Sequence, residues 1–576
     1  MRPLSPCPLA ASVVRLLLVL LGVAARLPAT AQAPAWQSAR AVAVAPAAGG
    51  TNYSEVRATA VDAAGNVFVA GNFTNTVVLG GTTLTSLGQR DVFVAKFNPA
   101  TNQFVWAQRA GSAGYDSADA LAVSGTSVYV AGNFDNPTAS FGSTTLTTAG
   151  TQDVYVAKLT DTGDTGSFVW AQRAGGTSND VALALAVSGA SVYVAGAFNS
   201  LTAGFGPAAL TNTGASIFDN DGFVAKLTDA GSTGSFVWAQ RVGGTGNDVA
   251  LALAVSGASV YVAGFFGGLT ASFGPTVLTS AGSLDVFIAK LTDAGSTGSF
   301  VWAQRAGGAS DDIATALAVS GSGVYAAGYF LSPTSAFGSA TLTTAGYYDM
   351  FVAKLVDAGS TGSFVWAQRA GGAGDDRATA VAASGTGVYA AGYFDGPLAG
   401  FGPTTLTSAG GTDAFVAKLT DAGSSGSVAW ARGAGGTAND KANAVAVGGT
   451  SLYLGGSFHS PTASFGPIAL VNSHFAAGNS IGFLASLADP TLTATTAAAG
   501  PREPARLCPN PARHAVTLRL AAGTAPGPLT LTDARGRDVR RYPAPTSPEA
   551  VLDVHGLPAG LYLLLGAGPA RRLAVE

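Results

Sequence analysis

Between residues 36 and 487 short apolar runs alternate with Gly-, Ser- or Asp-rich breaks, and the same phrases keep returning. One pass reads Asp312-Ile-Ala-Thr-Ala-Leu-Ala-Val-Ser320, Gly323-Val-Tyr-Ala-Ala-Gly-Tyr-Phe330, Asp349-Met-Phe-Val-Ala-Lys-Leu355 and Ser363-Phe-Val-Trp-Ala-Gln-Arg-Ala-Gly-Gly372. Each phrase holds β-branched, aromatic and small residues between turn formers, which predicts a strand, and four strands make one unit. Tryptophan marks the units, standing at 36, 106, 170, 238, 302, 366 and 430 and nowhere else. The phrase like Val-Tyr-Val-Ala-Gly also occurs seven times, starting at Val67, Val128, Val192, Val260, Val324, Val388 and Leu452. Seven units of four antiparallel strands predict an all-β, seven-bladed β-propeller over residues 32–487.

A solenoid is the competing architecture, but it needs distinct caps, whereas the two ends here are complementary. Units one to six each finish with a tryptophan strand, while the seventh stops at Gly482-Phe-Leu-Ala-Ser-Leu487 without one. A spare copy, Ala35-Trp-Gln-Ser-Ala-Arg40, stands alone before unit one. We expect it to pair antiparallel with 483–487 and close the ring, since an unpaired outer strand would leave its backbone groups open.

Composition agrees with burial by strands: 48% of residues are hydrophobic, 11% are charged and 77 are glycine. The two cysteines, Cys7 and Cys508, lie in the terminal segments, so no disulfide is expected within the repeats. From Gln32 to Gly500 there are 27 Asp and Glu against 17 Lys and Arg, whereas the last 76 residues hold 10 Arg against 6 acids. An acidic central region lacks the basic footprint that nucleic-acid binding requires, and that class is excluded.

The N-terminus has the order of a secretory signal. Arg2 and Arg15 precede the apolar run Leu16-Leu-Leu-Val-Leu-Leu-Gly-Val23, and Ala29-Thr-Ala31 supplies a small-residue cleavage site. The run is shorter than the ~20 residues of a membrane span. Residues 1–31 are therefore expected to be removed, leaving a mature chain without a transmembrane segment.

The repeated phrases resemble the SBBP family, a seven-bladed β-propeller repeat. The resemblance rests on Ala-Val-Asp-Ala-Ala-Gly-Asn-Val-Phe-Val-Ala-Gly (60–71), Asp-Ala-Phe-Val-Ala-Lys-Leu (413–419) and the Gly-Gly after each tryptophan strand. It covers about residues 36–490 and implies a fold without implying an enzyme activity.

After a Thr-, Ala- and Pro-rich linker at 488–506, residues 507–576 change grammar, with short runs such as Val516-Thr-Leu-Arg-Leu520 and Leu561-Tyr-Leu-Leu-Leu565 that predict a small β-sandwich. Pro509-Asn-Pro-Ala512, the turn Thr532-Asp-Ala-Arg-Gly-Arg537 and Leu557-Pro-Ala-Gly-Leu-Tyr562 resemble the type A sorting domain of type IX secretion. Cys508 departs from that pattern, in which an aromatic often precedes the Pro-Asn-Pro. The resemblance implies passage across the outer membrane by the type IX machinery, then cleavage of the domain, often with attachment of the cargo to surface lipopolysaccharide.

Several residue sets recur with the repeat. Asp116, Asp180, Asp248, Asp312, Asp376 and Asp440 each open a first strand, and Glu55 stands in the matching place twelve residues before Val67. If the first strand is innermost, these carboxylates would ring the channel mouth and could gather a cation. The plainer reading is that each accepts N–H groups of its own turn. Lys96, Lys158, Lys226, Lys290, Lys354 and Lys418 form a second set, and Arg109, Arg173, Arg241, Arg305 and Arg369 a third. Both sets are expected to cover apolar sheet edges with their stems while the charge reaches water or a nearby Asp.

Little breaks the symmetry. His459 and His474 lie in unit seven, and a four-residue insertion brings Asp219-Asn-Asp221 without a full calcium-loop pattern. The tryptophans sit within strand phrases, which favours packing over a sugar platform. We therefore expect no catalytic, cofactor-binding or metal-binding residues. The expected role is a secreted or surface-attached, non-enzymatic protein that binds or scaffolds an extracellular protein or glycan through one face of the propeller. The rival is an extracellular enzyme acting on polysaccharide, which would need acids or histidines from different units converging in one pocket.

Overall fold

The structure, a computed structural model, describes residues 33–44, 53–216, 218–472, 475, 479–492, 506–508, 511–519, 528–533, 537–545, 549–565 and 571–576. The expected export signal at 1–31, His474, residues 493–505 of the expected linker and Pro509-Asn510 lie outside them. Every described element is a β-strand, and among the described residues no helix is long and apolar enough to cross a membrane. The chain divides into two compact units, Met1–Ala494 and Thr495–Glu576.

The first unit is propeller-like. Its strands fall into four-stranded antiparallel groups, and the second group shows the pattern: Asp116–Ser124, Ser127–Asp135, Gln152–Asp161 and Gly166–Ala174 hydrogen-bond in chain order. The first strand of each group packs along the first strand of the next, and Asp440–Gly448 packs against Ser54–Val61. Between the second and third strands of each group a short hairpin, such as Thr138–Phe141 with Thr144–Thr147, reaches the fourth strand of the preceding group through the bridge Gly111–Ser140. The last group, Asp440–Gly448, Ser451–Phe458 and Ile481–Ala488, takes its fourth strand from the N-terminus. Trp36–Val44 runs antiparallel to it, with Trp36 opposite Leu487 and Val42 opposite Gly482.

Neighbouring groups are joined by one recurring polar latch. At the end of a third strand, Asp293 accepts Lys226 Nζ at 2.6 Å and Tyr193 Oη at 2.6 Å on one oxygen, and Trp238 Nε1 at 3.1 Å and Gly295 N at 2.9 Å on the other. Lysine, tyrosine and tryptophan come from one group and the aspartate from the next. Asp161, Asp229, Asp357 and Asp421 take the matching lysine and tryptophan, and Asp489 takes Lys418 and Tyr389. The lysines are therefore buried ion-pair partners on third strands, and the expectation that they cover sheet edges is corrected. Asp489 also carries the first unit past the point where composition alone starts the linker, and Leu492 is buried in the same core. The tryptophans are packing residues: a Cβ on Gly298 would meet the Trp238 ring at 2.8 Å, so that position admits no side chain.

The second unit holds two antiparallel sheets, one of Arg506–Cys508, Ala515–Arg519 and Glu549–Asp553, the other of Leu529–Thr532, Asp538–Tyr542, Gly560–Leu565 and Arg571–Val575. Val516, Leu518 and Leu552 of the first share a core with Leu529, Leu531, Leu564 and Leu573 of the second.

Candidate functional site

The aspartates stand at the entry to the first strands, bonded to the turns before them, and none lines the axial cavity. Asp116, Asp180, Asp248, Asp312, Asp376 and Asp440 are all buried, and each accepts the N–H of the residue four positions earlier at 2.6–2.7 Å. Ser112, Ser200, Ser332 and Ser460 add hydroxyl donors. Glu55 does not belong to this set. Ser54 pairs with Phe73 as Asp116 pairs with Phe134, so Ser54 is the matching residue. The slip arises because the first hairpin turn, 62–66, is longer than the two-residue turn at Gly125-Thr126, which displaces the count from Val67 by one.

The remaining predicted sets also meet structural partners. Arg109, Arg173, Arg241, Arg305 and Arg369 pair with the buried Asp91, Asp153, Asp221, Asp285 and Asp349 on their own third strands. Asp219 Oδ2 accepts Ser216 N at 2.9 Å, and Asp221 accepts Thr213 N at 2.6 Å. His459 Nδ1 lies 3.0 Å from the Asn439 carbonyl. Among the described residues no group of three His, Cys, Asp or Glu is arranged to hold a metal.

The channel contains what the repeat logic passed over. Each first strand carries a bulge, at Arg57, Asp119, Leu183, Leu251, Thr315, Thr379 and Asn443. Bulges re-aim side chains, and Arg57, Thr379 and Asn443, with the residues next to the other four bulges, line a cavity of about 170 Å³ on the axis. Below them the wall is Ala58, Ala120, Ala184 and their equivalents with Leu121, Leu185 and Leu253. The bulge position is the variable x of a nearly constant Ala-x-Ala phrase, a signal visible in the sequence once strands are compared column by column.

Three consecutive bulge residues around the ring are polar and joined. Arg57 Nη2 donates to Asp119 Oδ1 at 2.8 Å, and Nη1 reaches Glu55 Oε1 at 3.5 Å. Asn443 Nδ2 donates to the same Glu55 oxygen at 2.7 Å and to the Val56 carbonyl at 2.9 Å. Tyr53 Oη donates to Glu55 Oε2, and Ser117 Oγ to Asp119 Oδ2 at 2.5 Å. Burial and the Glu55 charge push the Tyr53 phenol up, so it stays protonated and serves as a donor. Hydrolysis by paired carboxylates needs one acid and one base or nucleophile. Here Glu55 and Asp119, from the first and second groups, both direct oxygens at one guanidinium, which suits a charge-assisted clamp between those two groups.

No family model matches the chain, and no curated protein matches it. Among solved structures, the acylaminoacyl peptidase of Pyrococcus horikoshii aligns with 82% of this chain at 7% identity and a TM-score of 0.34. The match covers 59% of that protein, less than two thirds of its length.

Proposed function

We propose that the first unit is a seven-bladed β-propeller closed by its N-terminal strand, and that the mature protein works without catalysis, binding or scaffolding an extracellular protein or glycan through one face. One observation carries the reading. The exposed large apolar side chains of this unit are Leu87, Tyr115, Leu201, Phe218, Leu269, Val277, Tyr347, Leu398, Val471 and Phe475. All but Tyr115 lie between a second and a third strand, and Tyr115 lies in a turn from a fourth strand to the next first strand. Antiparallel alternation puts these connections on the same side, so apolar surface gathers on one face and is missing from the hairpin turns of the other. Variable loops on a rigid scaffold are the usual seat of binding.

The triple variant Leu269→Ser, Tyr347→Ser, Leu398→Ser is expected to lose binding of the full chain to the surface of the producing cells. Thr233→Ala, Thr297→Ala, Thr361→Ala on the opposite turns is expected to retain it. Equal binding by both would sink the one-face reading. The second reading, an enzyme acting on polysaccharide, would draw on Glu55 and Asp119, the acids of two groups that Arg57 brings together. Polysaccharide cleavage by the full chain that vanishes in both Glu55→Gln and Asp119→Asn would establish that reading.

The type IX route is part of the proposal, supported by the motifs at 509–512, 532–537 and 557–562 and by the compact second unit. Secretion would then leave the protein extracellular or on the outer-membrane surface, in the latter case held through lipopolysaccharide. Mass spectrometry of surface material is expected to find an N-terminus near Gln32 and a C-terminus upstream of Leu507. Intact chains ending at Glu576 on the surface would contradict it.

A further inference from the structure

The third group, like the seventh with 472–480, has a longer connection before its third strand than the other groups. Between Thr211 and Asp221 it has residues 212–220, where the matching connections are the shorter 148–152, 280–284, 344–348 and 408–412. In those shorter connections a glycine presses against the next turn. A Cβ on Gly150, Gly282, Gly346 or Gly410 would lie 2.3–2.4 Å from the backbone of Thr177, Ala309, Ala373 or Thr437. The longer connection folds on itself instead. Asn212 Oδ1 accepts Gly214 N at 2.7 Å, and the Nδ2 groups of Asn199 and Asn212 donate to the Asp219 carbonyl at 3.0 and 3.1 Å. Ala215 N is tied to the Thr245 carbonyl at 2.9 Å, which fixes the loop against the following group. A cavity of about 560 Å³ remains between this loop and the turn at Thr177 and Ser178.

We propose that this cavity binds a neutral carbohydrate, a short run of uncharged sugar units. Its wall is made of hydroxyl and amide side chains, Thr177, Ser178, Asn199, Asn212 and Ser216, with Leu201 as the apolar member. Leu201 is 74% exposed, and Phe218, two residues beyond Ser216, is 81% exposed. A sugar ring offers hydroxyls that both donate and accept, and a C–H face that lies against an aromatic or aliphatic side chain. The hydroxyl and amide groups of the wall supply the first complement, and the exposed Leu201 the second.

Among the described residues no charged side chain lines the cavity. The Asp219 carboxylate is turned onto Ser216 N, and the buried Asp221 onto Thr213 and Arg241. A nucleotide, a uronate or an acidic peptide would therefore meet no counter-charge on an already acidic domain. The volume falls in the range of about 300–1,000 Å³ typical of small-ligand sites.

This inference rests on the loop-bearing face being the binding face, and its test separates the two. The full chain is applied to an array of neutral and acidic oligosaccharides, and the best neutral one is titrated by saturation-transfer NMR. We expect neutral binding that weakens about tenfold or more in Leu201→Ser, is retained in Leu201→Met, and is lost when 212–220 is replaced by the five residues of 280–284. Thr361→Ala, on the opposite turns, should leave it unchanged, and the melting midpoints show that each variant is folded. Neutral binding that survives both Leu201→Ser and the shortened loop overturns the site while leaving the face intact. Binding of acidic sugars alone, or of no sugar by a chain that still binds cells through the loop face, overturns it equally. Loss of the face reading would appear separately, in the triple variant.

Discussion

A chain lacking residues 33–44 is expected to melt far below the full protein and to recover when a peptide of those residues is added. The segment supplies the whole fourth strand of the last group, pairing Trp36 through Val42 with 482–487. It continues outward to Val77 and Val78 through Val44 and Ala43. Trp36 is 7% exposed and meets Phe465 edge-on with ring centroids 5.2 Å apart, while Val42 is fully buried. Truncating one buried tryptophan costs about 3–5 kcal/mol, and the lost ladder exposes a row of backbone groups besides.

The seam that this strand closes has no ion-pair latch. At the position of the third-strand lysine stands Ser486, bonded to Ser38 Oγ at 2.7 Å. Ser54, not an aspartate, spans to the Val42 carbonyl at 2.9 Å and to Gly482 N at 2.9 Å. Apolar packing and the borrowed strand must therefore carry what a latch carries elsewhere. Added peptide should raise the midpoint in proportion to the logarithm of its concentration, as for any ligand of the folded state. A truncated chain that melts with the full one, or a peptide without effect, would show that the seam is held by other contacts.

Much of this was legible because strand phrases are local. The Val-Tyr-Val-Ala-Gly and Asp-Ala-Phe-Val-Ala-Lys-Leu phrases carry their own turn signals, so the four-strand units, the lone strand at Trp36 and its partner at 483–487 can be read from spacing. What failed did so where function of a residue depends on a neighbour distant in sequence. Lys226 and Asp293 are 67 residues apart, and nothing in either phrase says that the ammonium of one group is sealed under the turn of the next. The Glu55 register slipped on one extra residue in a turn, and in a strand one residue exchanges the two faces. The Arg57 clamp lay hidden in the opposite way. Its residues occupy the one column of the first strand that varies, and periodicity directs attention to the columns that repeat.

Stability is expected to rise as pH falls from 8 to about 5 and then to collapse below about 4, because two aspartate populations titrate in opposite senses. The first population is the turn set with its third-strand neighbours. Burial pushes Asp116 and Asp248 up to about 7 and Asp376 to about 6, and the facing Asp91, Asp221 and Asp349 add to it. Asp91, Asp153 and Asp413 are raised by burial as well, and each keeps a buried oxygen without a hydrogen-bond partner, where a proton can be added without breaking a bond. A group whose folded value is raised stabilises most below its unfolded value near 3.9 and loses that contribution as pH climbs through the folded one. Protonation between pH 8 and 5 should thus add on the order of 2 kcal/mol for each of Asp116, Asp248 and Asp376. The second population is the latch. Burial would raise Asp421, but the hydrogen bonds of Lys354, Tyr325 and Trp366 outweigh it and hold the carboxyl at about 2, and Asp229, Asp293, Asp357 and Asp489 are lowered for the same reason. Their stabilisation is present above the unfolded value and is lost as pH falls through the folded one, leaving buried lysines unpaired. Urea midpoints from pH 2 to 9 should therefore peak near pH 4 to 5. The variant Asp116→Asn, Asp248→Asn, Asp376→Asn should flatten the limb between 8 and 5, and Asp421→Asn should blunt the acid limb alone. A midpoint that is level or falls between pH 8 and 5 in the parent chain would mean that the turn aspartates remain ionised in the fold.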